Sequence, residues 1–337
     1  MWKVENSTNT QYLIKFESEI ILPFFNMISD VVIEIEQGEI ILPLEKTDIW
    51  KYTEHFRKAS VDQKNLFTYI MQKTVSGEKL QDLFYSIVVT FDSSYVEQIY
   101  LLYKQQNKEI LDGNYDIPQI QVDDIFKSIF VIYYYNTFFA DDYVWMTLAG
   151  ETYNRKEFHR NFKLENKMAV CPYCDVDTAV AGSNNNVEHF LPKSKYPLIA
   201  MNPLNLLSSC YACNKADEGK GDRIPEVPIV SPYNENIGDF AKFEVDFLSK
   251  KITLINSGRQ EHHNYFKFLQ LYSRYSDRMV FESVDHEANS LFETLTNSGS
   301  PTLKEIDLYI QRREKMNNLS LALRSIISNY PMYKTFK

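Results

Sequence analysis

All four cysteines of the 337-residue chain fall in one stretch, as Cys171-x-x-Cys174 and Cys210-x-x-Cys213. This spacing constrains the fold more than any other feature. A C-x-x-C pair lets two thiolates from one tight turn reach a single ion, and two such pairs complete the tetrahedral sulfur set that zinc favours. A structural zinc is therefore expected. The alternatives are four unrelated buried thiols or two redox dithiols, but no βαβ pattern flanks either pair. Thirty-five residues separate Cys174 from Cys210, longer than a usual zinc-ribbon interval, so something further is built inside the knot.

The insert reads as chemistry. Val187-Glu188-His189-Phe190-Leu191 alternates like a short strand, which places Glu188 and His189 on opposite faces, and Pro192 ends it. Asn205 lies in Pro203-Leu204-Asn205-Leu206-Leu207, and Asn214 directly follows the last cysteine at the expected start of a helix.

This stretch, with Cys-x-x-Cys, Glu188-His189-x-x-Pro192, Asn205-Leu206 and Cys213-Asn214 in that order, resembles the HNH endonuclease family and its ββα-metal finger. The likeness spans residues 171–222. It implies that His189 is the general base toward the attacking water and that Asn205 braces the loop aiming its ring. Glu188 and Asn214 would hold one Mg2+ or Mn2+ against the scissile phosphate, and the four cysteines a structural Zn2+. Two departures stand out. The family more often has Asp before the His. It also places Lys-Gly soon after Cys-Asn, where this chain inserts Lys215-Ala216-Asp217-Glu218-Gly219 before Lys220-Gly221. Asp217, Glu218 and Asp222 are alternative oxygen donors. The residue chemistry fits the resemblance: imidazole is a base near neutral pH, and a carboxylate with an amide oxygen suits a hard divalent cation.

The formal net charge of −9 argues against a protein held on nucleic acid by bulk positive potential. The charge is uneven. Residues 1–150 carry 12 Lys and Arg against 22 Asp and Glu, and the remainder 24 against 23. An acidic helical domain at 1–150, regulatory or partner-binding, and a nuclease domain at 151–337 are therefore expected. Nucleic-acid contacts are expected from Lys193, Lys195, Lys215 and, on the basic stretch Glu151–Lys167, Arg160. Lys220 is a weaker candidate. His159 on that stretch, and His262 and His263, read as surface residues.

The fold class expected is mainly α with a small α+β region: helical N-terminal part, central finger, then a β-hairpin and C-terminal helices. Residues 1–45 fit helix or strand equally. Helical periodicity runs from Asp48 to about Leu148, with Val122–Met146 as one aromatic-rich core helix. Phe243–Leu248 and Lys251–Ile255 read as a hairpin, and Thr302-x-x-Glu305 caps one long helix to about Tyr330. The Pro232-Tyr233, hairpin and Leu-x-x-Tyr order is similar to a subset of HNH proteins that accompany ATPases in bacterial defence loci. That resemblance supports the family and says little about substrate; the partners expected are nucleic acid, as double-stranded DNA, and an ATPase or sensor protein. No stretch reads as membrane-spanning, and four cysteines all assigned to metal suit a reducing cytoplasm. The competing reading is a zinc-stabilised binding module without turnover.

Overall fold

The computed structural model describes residues 1–40, 48–179, 185–297 and 302–335. The chain is mainly helical, with three two-stranded antiparallel sheets among the described residues. Helix α1 (Ser7–Phe16) runs through a π-helical turn, Glu17–Ile21, into α2 (Leu22–Glu36), so of the region 1–45 that sequence left between helix and strand, residues 7–36 are helical, and 41–45 lie outside the described residues. Its apolar stripe, including Phe16, Phe24, Phe25 and Ile28, is buried against α3 (Glu54–Lys58), α5 (Leu80–Thr90) and α6 (Ser93–Leu111). Between them, α4 (Val61–Gln72) starts at a Ser60–Gln63 capping box, and a small hairpin, β1 (Thr74–Val75) and β2 (Glu78–Lys79), turns through Ser76 and Gly77 at positive φ.

The single helix expected over Val122–Met146 is broken. Helix α7 (Asp124–Lys127) widens into a π-helical stretch, Ser128–Thr137, and the chain restarts as α8 (Asp142–Ala149). The break has a cause at Asp141. Its carboxylate caps the N–H groups of Tyr143 and Val144 and accepts from Tyr69 and Lys73 at 2.9 and 2.7 Å. A side chain committed to four donors holds its own backbone outside the helix. The aromatic core survives the break: Phe130, Tyr133, Tyr134 and Phe138 are buried.

Helix α9 (Arg155–Asn166), capped by Asn154, buries Phe158, His159 and Phe162 and leads into the cysteine knot. Strands β3 (Asn185–His189) and β4 (Leu206–Cys210) pair antiparallel, with Glu188 opposite Leu207 and His189 opposite Leu206. One helical turn, α10 (Tyr211–Asn214), follows directly, completing a β–β–α unit. The expected hairpin is present as β5 (Ala241–Asp246) and β6 (Lys251–Asn256), turning at Lys250. Helices α11 (Gln260–Phe268), α12 (Leu271–Tyr275) and α13 (Arg278–Asn297) come next.

The long last helix is also interrupted, into α14 (Leu303–Arg313) and α15 (Ser320–Ile326). Lys315 and Leu319 take left-handed backbone, and the intervening groups bond to the knot instead of to the helix. The carbonyl of Lys315 accepts from Ala169 and Val170, while Leu319 N–H donates to the Asp175 carbonyl. Tertiary partners here outcompete helix continuation.

One buried cluster runs through segments 1–150 and 151–337 alike. Trp2 Nε1 donates to Asp175 in the knot at 2.8 Å, Tyr135 OH to the Val187 carbonyl of β3 at 2.6 Å, and Tyr115 OH to the Leu204 carbonyl at 2.8 Å.

Burial opposes ionisation of Asp141, but Lys73, Tyr69 and the Val144 N–H together hold its carboxyl below the usual range. Asp141→Ala is expected to cost about 2 kcal/mol of unfolding free energy in urea titrations. Because the folded pKa is depressed, the contribution of Asp141 is present above its unfolded pKa near 3.9 and is lost as pH falls through the lower folded value. The mutant penalty should shrink correspondingly below about pH 4.

Candidate active site

The cysteine knot begins with a tight turn. Cys171 N–H donates to the Asp177 carbonyl, Asp175 N–H to the Cys171 carbonyl, and Asp175 sits at φ +61°. Cys210 ends β4 and Cys213 lies in the α10 turn. All four sulfurs are buried and within 4.8 Å of one another. Cys171 and Cys213 Sγ are 3.8 Å apart, and Cys174 and Cys210 Sγ 3.9 Å. A regular tetrahedron with Zn–S bonds of about 2.3 Å has edges of about 3.8 Å, so the set fits a metal such as zinc. Each close sulfur pair joins one cysteine from the first motif and one from the second, which is the geometry of a single ion site and not of two dithiols.

Groups around the sulfurs suit a negative thiolate cluster. Cys210 N–H points at Cys171 Sγ at 3.3 Å, and Val176 N–H at Cys174 Sγ at 3.4 Å. Arg274 of α12 brings its guanidinium to 3.0 Å from Cys213 Sγ while pairing with Asp177 at 2.6 Å. Sequence gave no sign of Arg274. It lies 61 residues beyond Cys213, and only the fold of α11 and α12 against the knot brings it there.

The β3–β4 hairpin positions the candidate chemical groups. His189 is buried, its ring edge-on to Tyr135 at 4.3 Å between centroids. Its Nε2 lies 2.9 Å from the Ala200 carbonyl oxygen. A carbonyl can only accept, so Nε2 carries the proton and Nδ1 holds the lone pair. Nδ1 has no hydrogen-bond partner among the described residues. Burial holds the ring well below its ordinary pKa, reinforced by Lys193, so the imidazole is neutral at physiological pH. Asn205 is fully buried and ties the loop after β3 into shape: its Oδ1 accepts from Leu191 N–H at 2.8 Å, and its Nδ2 donates to the Leu191 carbonyl at 3.1 Å.

Glu188 is 7% exposed and paired with Lys220 at 2.8 Å, both contacts of the carboxylate falling on Oε1, since His189 N–H donates to the same oxygen. The insertion before Lys220 folds back to make this possible. Gly219 lies where a Cβ would come within 2.2 Å of the Cys213 carbonyl oxygen, and Lys220 N–H donates to that same carbonyl. Only glycine permits so close an approach. The Oε2 atom of Glu188 and the side-chain amide of half-buried Asn214 have no partners among the described residues. Both residues line one cleft, so a carboxylate and an amide oxygen are available to a divalent cation.

That cleft, about 1130 Å³, lies between β3, α10 and α9. Arg155, Lys156, Arg160, Lys163 and Lys193 line it against the acidic Glu157 and Glu188, giving a positive wall in an acidic protein. Of the expected nucleic-acid contacts, Lys193 and Arg160 line the cleft; Lys195 and Lys215 do not. Arg160 pairs with Glu157 and Lys215 with Glu218. Asp217 and Asp222 are exposed.

Two histidines expected at the surface are buried. His159 faces β4, with Nδ1 2.8 Å from Ser208 Oγ, and burial pushes its pKa down to about 4. His262 accepts from the Arg259 N–H, stacks on Phe240 and contacts Glu235, closing the start of α11. Each occupies a polar niche that pattern alone does not reveal. No helix among the described residues is long and apolar enough to cross a membrane.

No family model matches the chain, and no solved structure matches it. The chain is similar to protein ea31 of Escherichia phage lambda, 37% identical over 65 residues, covering 19% of this chain and 20% of ea31. It is also similar to the Septu protein PtuB of Bacillus thuringiensis, 41% identical over 69 residues, covering 20% of this chain and 26% of PtuB. The similarity thus reaches no more than about a quarter of either curated relative's length.

The purified chain is expected to carry one tightly held metal, measured by elemental analysis. Cys213→Ser should lose it and lower the unfolding free energy by several kcal/mol, with strong chelator reproducing the effect on the unmutated chain.

Proposed function

We propose that the chain is a metal-dependent endonuclease of the HNH type, hydrolysing phosphodiester bonds of double-stranded DNA. The single observation that carries this reading is the state of His189. Its protonated Nε2 is fixed on the Ala200 carbonyl, and its unprotonated Nδ1 has no hydrogen-bond partner among the described residues. The ring sits behind the cleft wall, against Tyr135 and 1% exposed, so this neutral, oriented base acts on a water admitted past that wall. In this reading Nδ1 takes the proton as the water oxygen bonds to phosphorus and the P–O bond of the leaving group breaks. Asn205 keeps the loop between Leu191 and Ile199 from drifting, and so fixes where the Ala200 carbonyl holds the ring. Zinc in the four cysteines is structural. Glu188 and Asn214 would hold Mg2+ or Mn2+, which when bound supplies charge stabilisation for the phosphate oxygens.

The match to PtuB and the resemblance to HNH proteins found beside ATPases support a role in bacterial defence. There the acidic segment 1–150 docks an ATPase or sensor, and the protein works in the cytoplasm. A second reading, a zinc-stabilised binding module without turnover, is favoured by one feature: the buried Lys220 ammonium already compensates Glu188.

His189→Ala is expected to reduce plasmid nicking in Mg2+ or Mn2+ by about 10²–10⁴-fold with retained folding. Because the depressed pKa leaves the base unprotonated, the acid limb of the rate profile should lie below the ordinary histidine value of about 6.5. Absence of nicking by the unmutated chain, alone and with its partner, would favour the binding module.

A further inference from the structure

Two groups stand out among the cations in and around the cleft. Arg160, Lys215 and Lys220 each have a carboxylate partner. Arg155, Lys156 and Lys193 have none among the described residues, although Arg155 and Lys193 are half-buried. The last two converge on one ring. Arg155 Cζ lies 4.9 Å from the Tyr135 centroid and 5.6 Å from that of Phe139, and Lys193 Nζ lies 5.0 Å from the Tyr135 centroid. A hydrogen bond from Arg155 Nη2 to the Tyr135 carbonyl at 2.9 Å fixes the guanidinium further.

Two like charges gathered over one ring, partly out of water, repel each other; cation–π attraction and the nearby Glu188 carboxylate, itself shared with Lys220, offset part of that cost. The arrangement is completed by an anion. We propose that Arg155 and Lys193, seated over Tyr135, form a clamp for a backbone phosphate of the nucleic acid, separate from Glu188 and Asn214. The proposal rests on reading the cleft as a phosphodiester site. Arg155 forms no ion pair among the described residues and also meets the Tyr135 side chain, and Lys193 keeps its whole ammonium, so together they offer guanidinium N–H groups and a point charge to one phosphate. Prior seating by the rings and the carbonyl removes much of the ordering cost of binding.

A polymer fits better than a free phosphate. Lys156, Arg160 and Lys163 follow along α9 at about one-turn intervals and line the same cleft, so positive charge continues away from the clamp. Tyr135 also couples the clamp to the chemistry, since its ring packs on His189 and its hydroxyl holds the Val187 carbonyl of β3. A phosphate seated by the clamp is thereby registered against the imidazole.

The test uses the full chain carrying His189→Ala, so that binding is measured without turnover. Fluorescence anisotropy follows a labelled DNA duplex, and single-stranded DNA and RNA of the same sequence, without chelator and without added Mg2+ or Mn2+, across a salt series. Arg155→Ala and Lys193→Ala should each weaken the best-bound of the three by about tenfold and reduce the slope of log K against log salt by about 0.9 on duplex, or 0.7 on single strands. Arg155→Lys and Lys193→Arg should restore the slope. Lys58→Ala, outside the cleft, should change neither quantity. Lys193→Gln serves if an alanine variant fails to fold, as judged by circular dichroism. Folded variants with unchanged affinity and slope in all three arms would overturn the clamp. Parallel nicking assays with His189 intact separate the two readings. Clamp-dependent binding without nicking removes the nuclease and leaves the clamp, whereas His189-dependent nicking whose KM is untouched by Arg155→Ala and Lys193→Ala removes the clamp and leaves the nuclease.

Discussion

Four buried sulfurs gathered within 4.8 Å of one another are the constraint on which the rest of the structure depends. The first pair closes a turn that the first residues of the chain, the 314–319 connection and α12 all contact. The second pair ends β4 and begins α10. A chain with such small sheets has few backbone ladders to hold a hairpin in register, since isolated two-stranded hairpins are marginal in water. Anchoring the end of β4 and the start of α10 to the same cluster as the first cysteine pair supplies the missing rigidity. Arg274 and the amides of Val176 and Cys210 make that cluster compatible with thiolate charge in a buried setting.

Rigidity at the knot passes to the candidate site through short covalent paths. Asn214 follows Cys213 directly, and Lys220 bonds back to the Cys213 carbonyl before reaching Glu188. On the other strand, Asn205 and the Ala200 carbonyl hold the loop and the ring of His189. Large aromatic residues from the acidic half then close the site from outside the finger. Tyr135 touches His189, Arg155 and Lys193 at once, so the helical segment forms one wall of the cleft and is not merely adjacent to it.

The electrostatics follow the same division of labour. A protein of net charge −9 keeps a local excess of cations on one face of α9 and the loop after β3. Some of these charges are spent on structure: Lys220 on Glu188, Arg160 on Glu157, Lys215 on Glu218. Sequence could name them as basic but could not sort paired from unpaired, because pairing depends on which loops fold back. The Gly219 approach to the Cys213 carbonyl, which delivers Lys220 across the insertion, is such a case.

The cysteine cluster, the strand carrying Glu188 and His189, the second hairpin and the dominance of helix were legible in residue order. They rest on local rules: ligand spacing, two-residue alternation and apolar periodicity. The broken helices at Asp141 and 314–319 were not, since each break is held by partners distant in sequence, Lys73 and Tyr69 in one case and the knot backbone in the other. Nor were the burial of His159 and His262, or the meeting of Arg155, Lys193 and His189 on Tyr135. Spacing along a chain specifies which groups can share an ion or a face. Which charges go unpaired, and which imidazole nitrogen is left free, is decided only when separate segments are brought within hydrogen-bonding distance.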